Sequence, residues 1–315
     1  MSTNIIAVLG ATGAQGGGLA RAILADADSQ FVVRALTRNP AAPRAQELAR
    51  LGAEIVKADL DDLESLKRAF AGCYGAFCVT NFWEHFSPEK ETAQATNLAE
   101  AAKDAGIKHA IWSTFEDTRE RVPLEDNRMP TLQGKYKVPH FDAKAAANQE
   151  FTKRAVPTTF LLTSFYWDNA INFGTGPKPG PDGTLAITMP MGDRPLPGIA
   201  AEDIGQAAYG ILKAGKEYIG KTVGVAGEHL TGTEMAEAFS RALGQEVHYN
   251  DVPPEVYRSF DFPGADDMGN MFQFKRDFND EYLAARDLAE TRRLHPKIQS
   301  FDQWLERNKE RIPLE

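Results

Sequence analysis

The stretch VLGATGAQGG, residues 8–17, contains three evenly spaced glycines, Gly10, Gly13 and Gly16, directly after an apolar run. In such a turn the first glycine makes a tight bend after a strand, and the second lets backbone amides approach a pyrophosphate. The third lets the following helix pack closely on the sheet. The start of that helix also presents free amides and a positive dipole end to phosphates. The spacing is G-x-x-G-x-x-G rather than G-x-G-x-x-G, and between a buried strand and a helix it predicts a dinucleotide-binding turn.

Six apolar runs alternate with longer helix-period segments through the first half of the chain. Runs rich in β-branched and aromatic residues are typical of strands buried on both faces of a parallel sheet. The runs are IIAVLG, FVVRALTR, AEIVKADL, GAFCVTN, HAIWSTF and TTFLLTSF. Pro88 suits a first helical turn, and Gly52 and Gly106 suit helix ends. The pattern predicts an α/β fold of the Rossmann type, a doubly wound parallel sheet whose ligands bind beyond the carboxyl ends of the strands.

Beyond about residue 167 the alternation changes. Residues 174–198 are predicted to be loop, with an Asp182–Gly183 turn before a short strand. Residues 200–215 and 281–294 are each predicted to be one helix. We therefore expect a dinucleotide-binding domain over 1–166, to which 199–225 returns, and a smaller, partly interleaved C-terminal α/β lobe over 167–315.

Composition excludes several classes of function. The chain has 315 residues, a formal net charge of -9 and two cysteines. The acidic balance argues against direct binding to nucleic acid or to anionic membranes. No run is long enough to span a bilayer and no signal pattern is evident, so we expect a cytoplasmic or nucleocytoplasmic protein. The histidines lack metal-ligand spacing, and no metal is expected.

The end of the second predicted strand indicates which cofactor is preferred. An NAD site usually has a carboxylate there, which binds the ribose 2′-hydroxyl. This strand ends in LTRNP, with Thr37 and Arg38 and no acid. A guanidinium attracts a 2′-phosphate and bonds it with two N–H groups, so the pattern favours NADP(H). The alternative is a solvated surface arginine.

Two further strand ends point to the same site. The third strand ends at Asp59 and Leu60, which suit the adenine. The fourth is followed by Thr80, Asn81 and Phe82, beside the middle of the cofactor. A core aromatic is the alternative reading of Phe82.

Seven motifs, in order along almost the whole chain, resemble the NmrA-like family, an atypical branch of the short-chain dehydrogenase/reductase superfamily, and especially its vertebrate NADPH-sensor members. The motifs are GATGAQGG, TRNP, GAEIVKADLDD, VTNFWE, HFDAK, YWDN and DQWLE. The resemblance implies NADP(H) as cofactor and a regulatory protein partner; a homodimer is also expected. Besides the residues above, it implies contacts with the cofactor from Thr12, Ala14, Gln15, Lys144, Tyr166, Trp167, Asp168 and Asn169.

The catalytic residues expected of a short-chain reductase are incomplete. Such enzymes usually place a tyrosine four residues before a lysine, but His140 stands four residues before Lys144. Tyr136 is eight residues before the lysine, and Ser113 or Thr114 could supply a hydroxyl. Three readings remain: a sensor that reports NADPH/NADP⁺ to protein partners, a reductase of a quinone, enal or other small carbonyl compound with His140 as acid, or a structural histidine at a helix start. The missing tyrosine favours the sensor.

The polar segment 116–139 lacks helical or strand periodicity. It is predicted to be either a solvated loop or a mobile cover over the nicotinamide end of the site.

Overall fold

The computed structural model describes residues 4–180 and 182–314. The residues 1–3, 181 and 315, which the predicted domains include, lie outside this description. The strands are β1 (Asn4–Val8), β2 (Phe31–Thr37), β3 (Glu54–Lys57), β4 (Gly75–Cys78), β5 (His109–Thr114), β6 (Thr158–Leu162), β7 (Phe165–Tyr166), β8 (Lys178–Pro179), β9 (Leu185–Met189), β10 (Leu196–Ile199), β11 (Thr222–Gly224), β12 (Glu228–Leu230) and β13 (Val247–Asp251). The α-helices are α1 (Ala14–Ala25), α2 (Pro43–Arg50), α3 (Leu63–Phe70), α4 (Pro88–Asp104), α5 (Pro139–Lys153), α6 (Asn169–Asn172), α7 (Ala201–Ala214), α8 (Gly232–Leu243), α9 (Pro254–Arg258), α10 (Ala265–Asp277), α11 (Asn279–Ala284), α12 (Leu288–Leu294) and α13 (Phe301–Asn308).

Seven parallel strands form the central sheet in the order β11-β6-β5-β4-β1-β2-β3. All six strands predicted for the first half of the chain are present, and the Rossmann-type fold is confirmed. The strand order reverses between β1 and β4, where Val8 is opposite Phe77. Open α/β sheets bind ligands in the crevice at such a reversal.

Both faces of the central sheet are covered. Val8, Phe77 and Ile111 pack in a buried cluster with residues of α1 and α7. Their neighbours Ala7, Cys78 and Trp112 pack on the other face with residues of α3, α4 and α5. Successive strand residues point to opposite faces, so continuous apolar runs bury both.

Glycines bring α1 and α7 into close contact. A Cβ at Gly18 would lie 2.3 Å from the carbonyl oxygen of Glu202, and one at Gly205 would lie 2.1 Å from the backbone nitrogen of Leu19. Any larger residue at either position would push the helices apart. This contact holds α7, from the second half of the chain, against the helix that follows the glycine turn.

The smaller lobe has two three-stranded sheets, β12-β10-β7 and β13-β9-β8. Its core contains Trp167, Phe272, Phe301 and Trp304. The chain crosses between the lobes: α7 packs on α1 and β11 pairs with β6, whereas β10 belongs to the smaller lobe.

Two predictions of secondary structure are wrong. Residues 281–294 form α11 and α12 rather than one helix, because the Asp287 side chain accepts a hydrogen bond from the Ala289 amide and starts α12. Between the helices Arg286 is fully buried, and its Nε donates to the Thr163 carbonyl at 2.9 Å. Residues 174–198 contain the short strand predicted after Asp182–Gly183, β9, but also β8 and β10, which were predicted to be loop.

The segment 116–139 is only partly solvated, because several of its residues are buried and anchor it to the protein. Val122 and Met129 are fully buried in it. The Lys137 ammonium donates to the Met129 carbonyl at 2.7 Å, and Asn270 of α10 donates to the Pro130 carbonyl at 2.9 Å. Polar side chains thus bind backbone carbonyls of an aperiodic stretch and anchor it, which composition alone does not reveal. These contacts also hold the segment in place, which counts against the mobile-cover reading.

Candidate functional site

The glycine turn joins β1 to α1 at the reversal of the sheet. Gly10 has φ +59°, a left-handed conformation that favours glycine. A Cβ at Gly16 would lie 2.3 Å from the Leu9 carbonyl oxygen, so only glycine lets α1 start this close to the end of β1. A Cβ at Gly13 would lie 3.2 Å from the Gly10 carbonyl oxygen.

The start of α1 is free to hold an anion. No side chain caps it at Gly13, and its first turn contains no acidic residue. Thr12 is half-buried and Ala14 exposed, so the turn reaches the surface. Uncapped amides and a positive dipole end, without a competing carboxylate, suit a phosphate group.

Gln15 links the turn to the smaller lobe. Its Nε2 donates to the Tyr166 hydroxyl at 2.5 Å, while its buried Oε1 has no hydrogen-bond partner among the described residues. Burial raises the pKa of Tyr166 to about 12, so this hydroxyl stays neutral near pH 7. The turn therefore offers one unused buried acceptor beside its free amides.

Arg38 lies at the end of β2, as predicted, but it is not a free cation. Its guanidinium pairs with the carboxylate of Glu84, which follows β4, and this hydrogen bond raises the pKa of Arg38. The two side chains are 65% and 48% exposed, so the pair is open to solvent and to exchange. Thr37 accepts a hydrogen bond from the Asn39 amide at 3.2 Å and shapes the same turn.

Asp59 and Leu60 lie after β3, close to α4. The Asp59 carboxylate accepts from the Asp61 amide at 3.0 Å, and the Leu60 carbonyl accepts from Asn97 of α4 at 2.8 Å. Both residues remain partly exposed. They line the rim of the sheet's carboxyl edge between β3 and α4.

Lys144 reaches the end of β4. Its ammonium lies 2.7 Å from the Thr80 hydroxyl, 3.1 Å from the Thr80 carbonyl and 2.6 Å from the Glu91 carboxylate. Glu91 of α4 is fully buried. These three contacts match the three donors of the ammonium, so Lys144 holds Thr80 in place. Binding a ribose would require one contact to exchange.

The residues after Thr80 have different surroundings. Asn81 is exposed, whereas Phe82 is 3% exposed. The Phe82 ring contacts those of Trp83 and His140, with centroids 5.6 and 6.0 Å away. The structure thus places Phe82 in an aromatic cluster and leaves Asn81 open.

The Tyr166–Asn169 loop joins the two lobes. Trp167 is 2% exposed and packs on Phe301 in the smaller lobe's core, so its ring fills that core. Asp168 accepts from the Ala201 amide at 2.8 Å at the start of α7, and burial raises its pKa. Asn169 opens α6. A contact between these residues and a cofactor stays a prediction.

His140 forms a buried pair with a residue that the sequence did not indicate. Its Nδ1 is 2.7 Å from Oδ1 of Asp267 on α10, and its backbone amide donates to Oδ2 at 3.2 Å. Both residues are 4% exposed. Since α5 begins at Pro139, His140 lies one helical turn before Lys144 on the same side of the helix. Its partner is a carboxylate 127 positions away in the sequence.

The aromatic cluster surrounds this imidazole. Ring centroids of Trp83, Phe115 and Phe141 lie 4.8, 5.9 and 4.7 Å from that of His140. Such rings exclude water from the histidine and present flat apolar surface. They come from the turn after β4, the end of β5 and α5, which only the fold brings together.

The other hydroxyl candidates differ in availability. Thr114 donates to Asn148 at 2.8 Å and is fully buried. Ser113, 2% exposed, lies beside it on β5. Tyr136 precedes the first residue of α5 and pairs with Leu132, so it does not share the face of that helix with Lys144.

Three acidic residues of the site were missed: Glu84, Glu91 and Asp267. Glu91 lies in the first turn of α4, where a carboxylate is expected merely to favour the helix dipole. Asp267 lies 127 positions from His140, and a single sequence gives no signal for that pairing.

In residues 4–180 and 182–314, no helix is long and apolar enough to cross a membrane, and no group of three His, Cys, Asp or Glu side chains could hold a metal ion.

Comparisons with known proteins agree with this architecture. The NmrA-like family model matches residues 2–305. The NmrA-like family domain-containing oxidoreductase FrzB of Cladobotryum sp is 30% identical over 295 residues, which cover 90% of this chain and 87% of FrzB. NmrA, a negative transcriptional regulator, superposes in its NAD complex with TM-score 0.78 at 25% identity, covering 97% of this chain and 95% of that one. Its NADP complex gives TM-score 0.76 at 24% identity with the same coverage, a likeness of fold. This chain belongs to the NmrA-like family.

Proposed function

We propose that this protein is an NADP(H)-dependent reductase of a quinone, an enal or another small carbonyl compound, with His140 as its proton donor. The observation that carries the proposal is the buried His140–Asp267 pair, one helical turn before Lys144. The preference for a sensor rested on the missing tyrosine. A histidine held by a carboxylate at that same position supplies the missing acid.

The residues present fit a dinucleotide. The uncapped start of α1 and the glycine turn, where a Cβ at Gly16 has no space, would hold the pyrophosphate. Arg38 would take the 2′-phosphate, Asp59 and Leu60 the adenine, and Asn81 the middle of the cofactor. When bound, NADPH supplies a hydride. The NAD and NADP complexes of NmrA support a nicotinamide cofactor, and Arg38 without an acid on β2 supports NADP(H).

Asp267 prepares His140 for proton transfer. With Nδ1 held 2.7 Å from this carboxylate, Nε2 is the ring nitrogen that would donate a proton to the substrate oxygen. A carbonyl compound reduced by that hydride would take this proton on its oxygen and leave as an alcohol, and a quinone would leave as the hydroquinone. Lys144 keeps Thr80 and the end of β4 in position. FrzB, named an oxidoreductase, supports this class of chemistry.

NADPH oxidation by the purified protein against quinones and enals tests the proposal. We expect saturable turnover that His140→Gln lowers by roughly 10²- to 10⁴-fold while NADPH affinity is unchanged. Asp267→Asn should lower turnover less, and His248→Gln, at an exposed histidine, is the matched control. Tight NADPH binding without turnover on any compound would refute the reductase.

A regulatory role is the second candidate, and the Arg38–Glu84 pair favours it. A 2′-phosphate would draw Arg38 away from Glu84, and Glu84 shares a short helical turn with Trp83, which covers His140. Cofactor binding would thereby reach Trp83, a partly exposed ring beside which a protein partner or a second copy could dock. A ligand shifts this turn only if its affinity differs between the two arrangements. Hydrogen exchange on the apo, NADP⁺ and NADPH forms tests this, and unchanged protection over 82–87 would exclude it.

A further inference from the structure

A second buried cluster of polar side chains lies where the carboxyl edge of the central sheet meets the smaller lobe. Glu116 follows β5, Lys275 belongs to α10, Tyr282 to α11, and Arg286 follows α11. Arg286 ties the cluster to the sheet through its hydrogen bond to the carbonyl of Thr163, just after β6. The cluster therefore borders the edge at which this fold binds its ligands, and neither cofactor binding nor proton delivery uses it.

Lys275 is buried without an oxygen partner. Its residue is 2% exposed, and its Nζ is 3.3 Å from the Met271 sulfur. Across residues 4–180 and 182–314, no oxygen accepts a hydrogen bond from this nitrogen. Four aromatic rings surround it at 5.4–5.9 Å: those of Phe141, Phe165, Phe272 and Tyr282. An ammonium has three donors, and a thioether is a weak acceptor for one of them.

The charges in the cluster do not balance. Arg286, fully buried, takes both carboxylate oxygens of Glu116, so no anion remains for Lys275. Burial, with Arg286 nearby, lowers the pKa of Lys275 to about 7. The Tyr282 hydroxyl is also buried and has no partner among the described residues. A buried donor without an acceptor lowers the stability of the fold, and here both the Lys275 nitrogen and the Tyr282 hydroxyl lack an oxygen acceptor.

We propose that Lys275, with Tyr282 beside it, binds an anionic oxygen of the ligand, a carboxylate or a phenolate. This proposal rests on the proposed function, because the ligand is the reductase substrate and Lys275 would bind its anionic end. The Phe141 ring lies 5.6 Å from the Lys275 nitrogen and 4.7 Å from the His140 ring, so the cluster adjoins the proposed proton donor. Glu116, whose side chain is 24% exposed, marks the side of the cluster nearest to solvent. Above the lowered pKa of about 7, neutral Lys275 takes a proton from solvent when the ligand binds, and the resulting ammonium faces the ligand anion.

The structural alternative is that the four rings alone hold the ammonium. Cation–π contacts stabilise a buried cation without any ligand. In that case Lys275→Met would leave ligand binding unchanged. The two accounts therefore differ in a binding measurement.

Calorimetry on the full chain with NADP⁺ present separates them, with benzoate as the carboxylate probe and 4-nitrophenolate as the phenolate probe. Titrations at pH 8 in two buffers of different ionisation enthalpy count protons. We expect at least one probe to bind with uptake of close to one proton, and Lys275→Met to weaken it at least tenfold. Lys213→Met is the matched control, because Lys213 also lies over a ring, that of Tyr209, but is exposed.

Tyr282→Phe is the second variant and keeps the test valid if Lys275→Met does not fold. It should weaken the same probe severalfold. Equal binding by the variants and the wild type, binding without proton uptake, or no binding of either probe would overturn the proposal. These readouts do not involve hydride transfer. A wild type that binds a probe through Lys275 but oxidises no NADPH refutes the reductase and not this subsite.

Discussion

The Arg38–Glu84 pair predicts opposite effects for two substitutions. If Glu84 competes with the 2′-phosphate for Arg38, then Glu84→Gln should strengthen NADPH binding and Arg38→Ala should weaken it. NADH, which lacks the 2′-phosphate, should respond to neither. The prediction rests on the contact between the two side chains and on their exposure of 65% and 48%.

The magnitudes follow from that exposure. An exposed ion pair is worth about 0.2–1 kcal/mol, so its removal should tighten NADPH binding about 1.4- to 5-fold. Charge-assisted hydrogen bonds from Arg38 to the phosphate are worth about 1.5–3 kcal/mol. Their loss in Arg38→Ala should weaken NADPH binding by about 10- to 100-fold.

Calorimetry with NADPH and NADH on each protein measures both effects. Arg50→Ala is the control, an exposed arginine at the end of α2. Equal losses for the two cofactors in Arg38→Ala would refute the 2′-phosphate assignment. Weaker NADPH binding in Glu84→Gln would show that Glu84 positions Arg38 rather than competes for it.

Three further predictions concern stability. Gly16→Ala should lower the urea midpoint far more than Gly17→Ala, because the new Cβ would lie 2.3 Å from a backbone oxygen at position 16 and 3.1 Å at position 17; equal midpoints would contradict the close approach of α1. Glu91→Leu alone should lower the unfolding free energy by about 3–5 kcal/mol, because it leaves the buried Lys144 ammonium without its carboxylate. Adding Lys144→Met should recover part of that loss. Additive losses would contradict the pairing. Lys275 has a folded-state pKa of about 7, below its unfolded value, so the unfolded chain binds the extra proton above that pH. The unfolding free energy of the wild type minus that of Lys275→Met should therefore rise between pH 7.5 and 9.5, by at most about 1.4 kcal/mol per pH unit. A difference that does not change with pH in urea titrations would contradict the lowered pKa.

Local pattern was sufficient for much of the fold. The six apolar runs became β1 to β6, since a strand buried on both faces needs a continuous apolar run and shows it in a few residues. The glycine turn was equally readable, because a positive φ at Gly10 and a contact that excludes any Cβ at Gly16 are requirements of single positions. The break between α11 and α12 at Arg286 could not be predicted, since the apolar period continues through it.

The site depends on contacts between distant residues, and the amino-acid pattern identified only one member of each pair. Arg38, Lys144 and His140 were visible because their spacing from a strand end or from one another has meaning along one element. Their partners Glu84, Glu91 and Asp267 became visible only in the tertiary structure. An acidic residue is well solvated at any exposed position of a helix or turn, so its identity carries no information about what it faces. Only folding, which buries these carboxylates beside specific cations and an imidazole, determines which of them belong to the site.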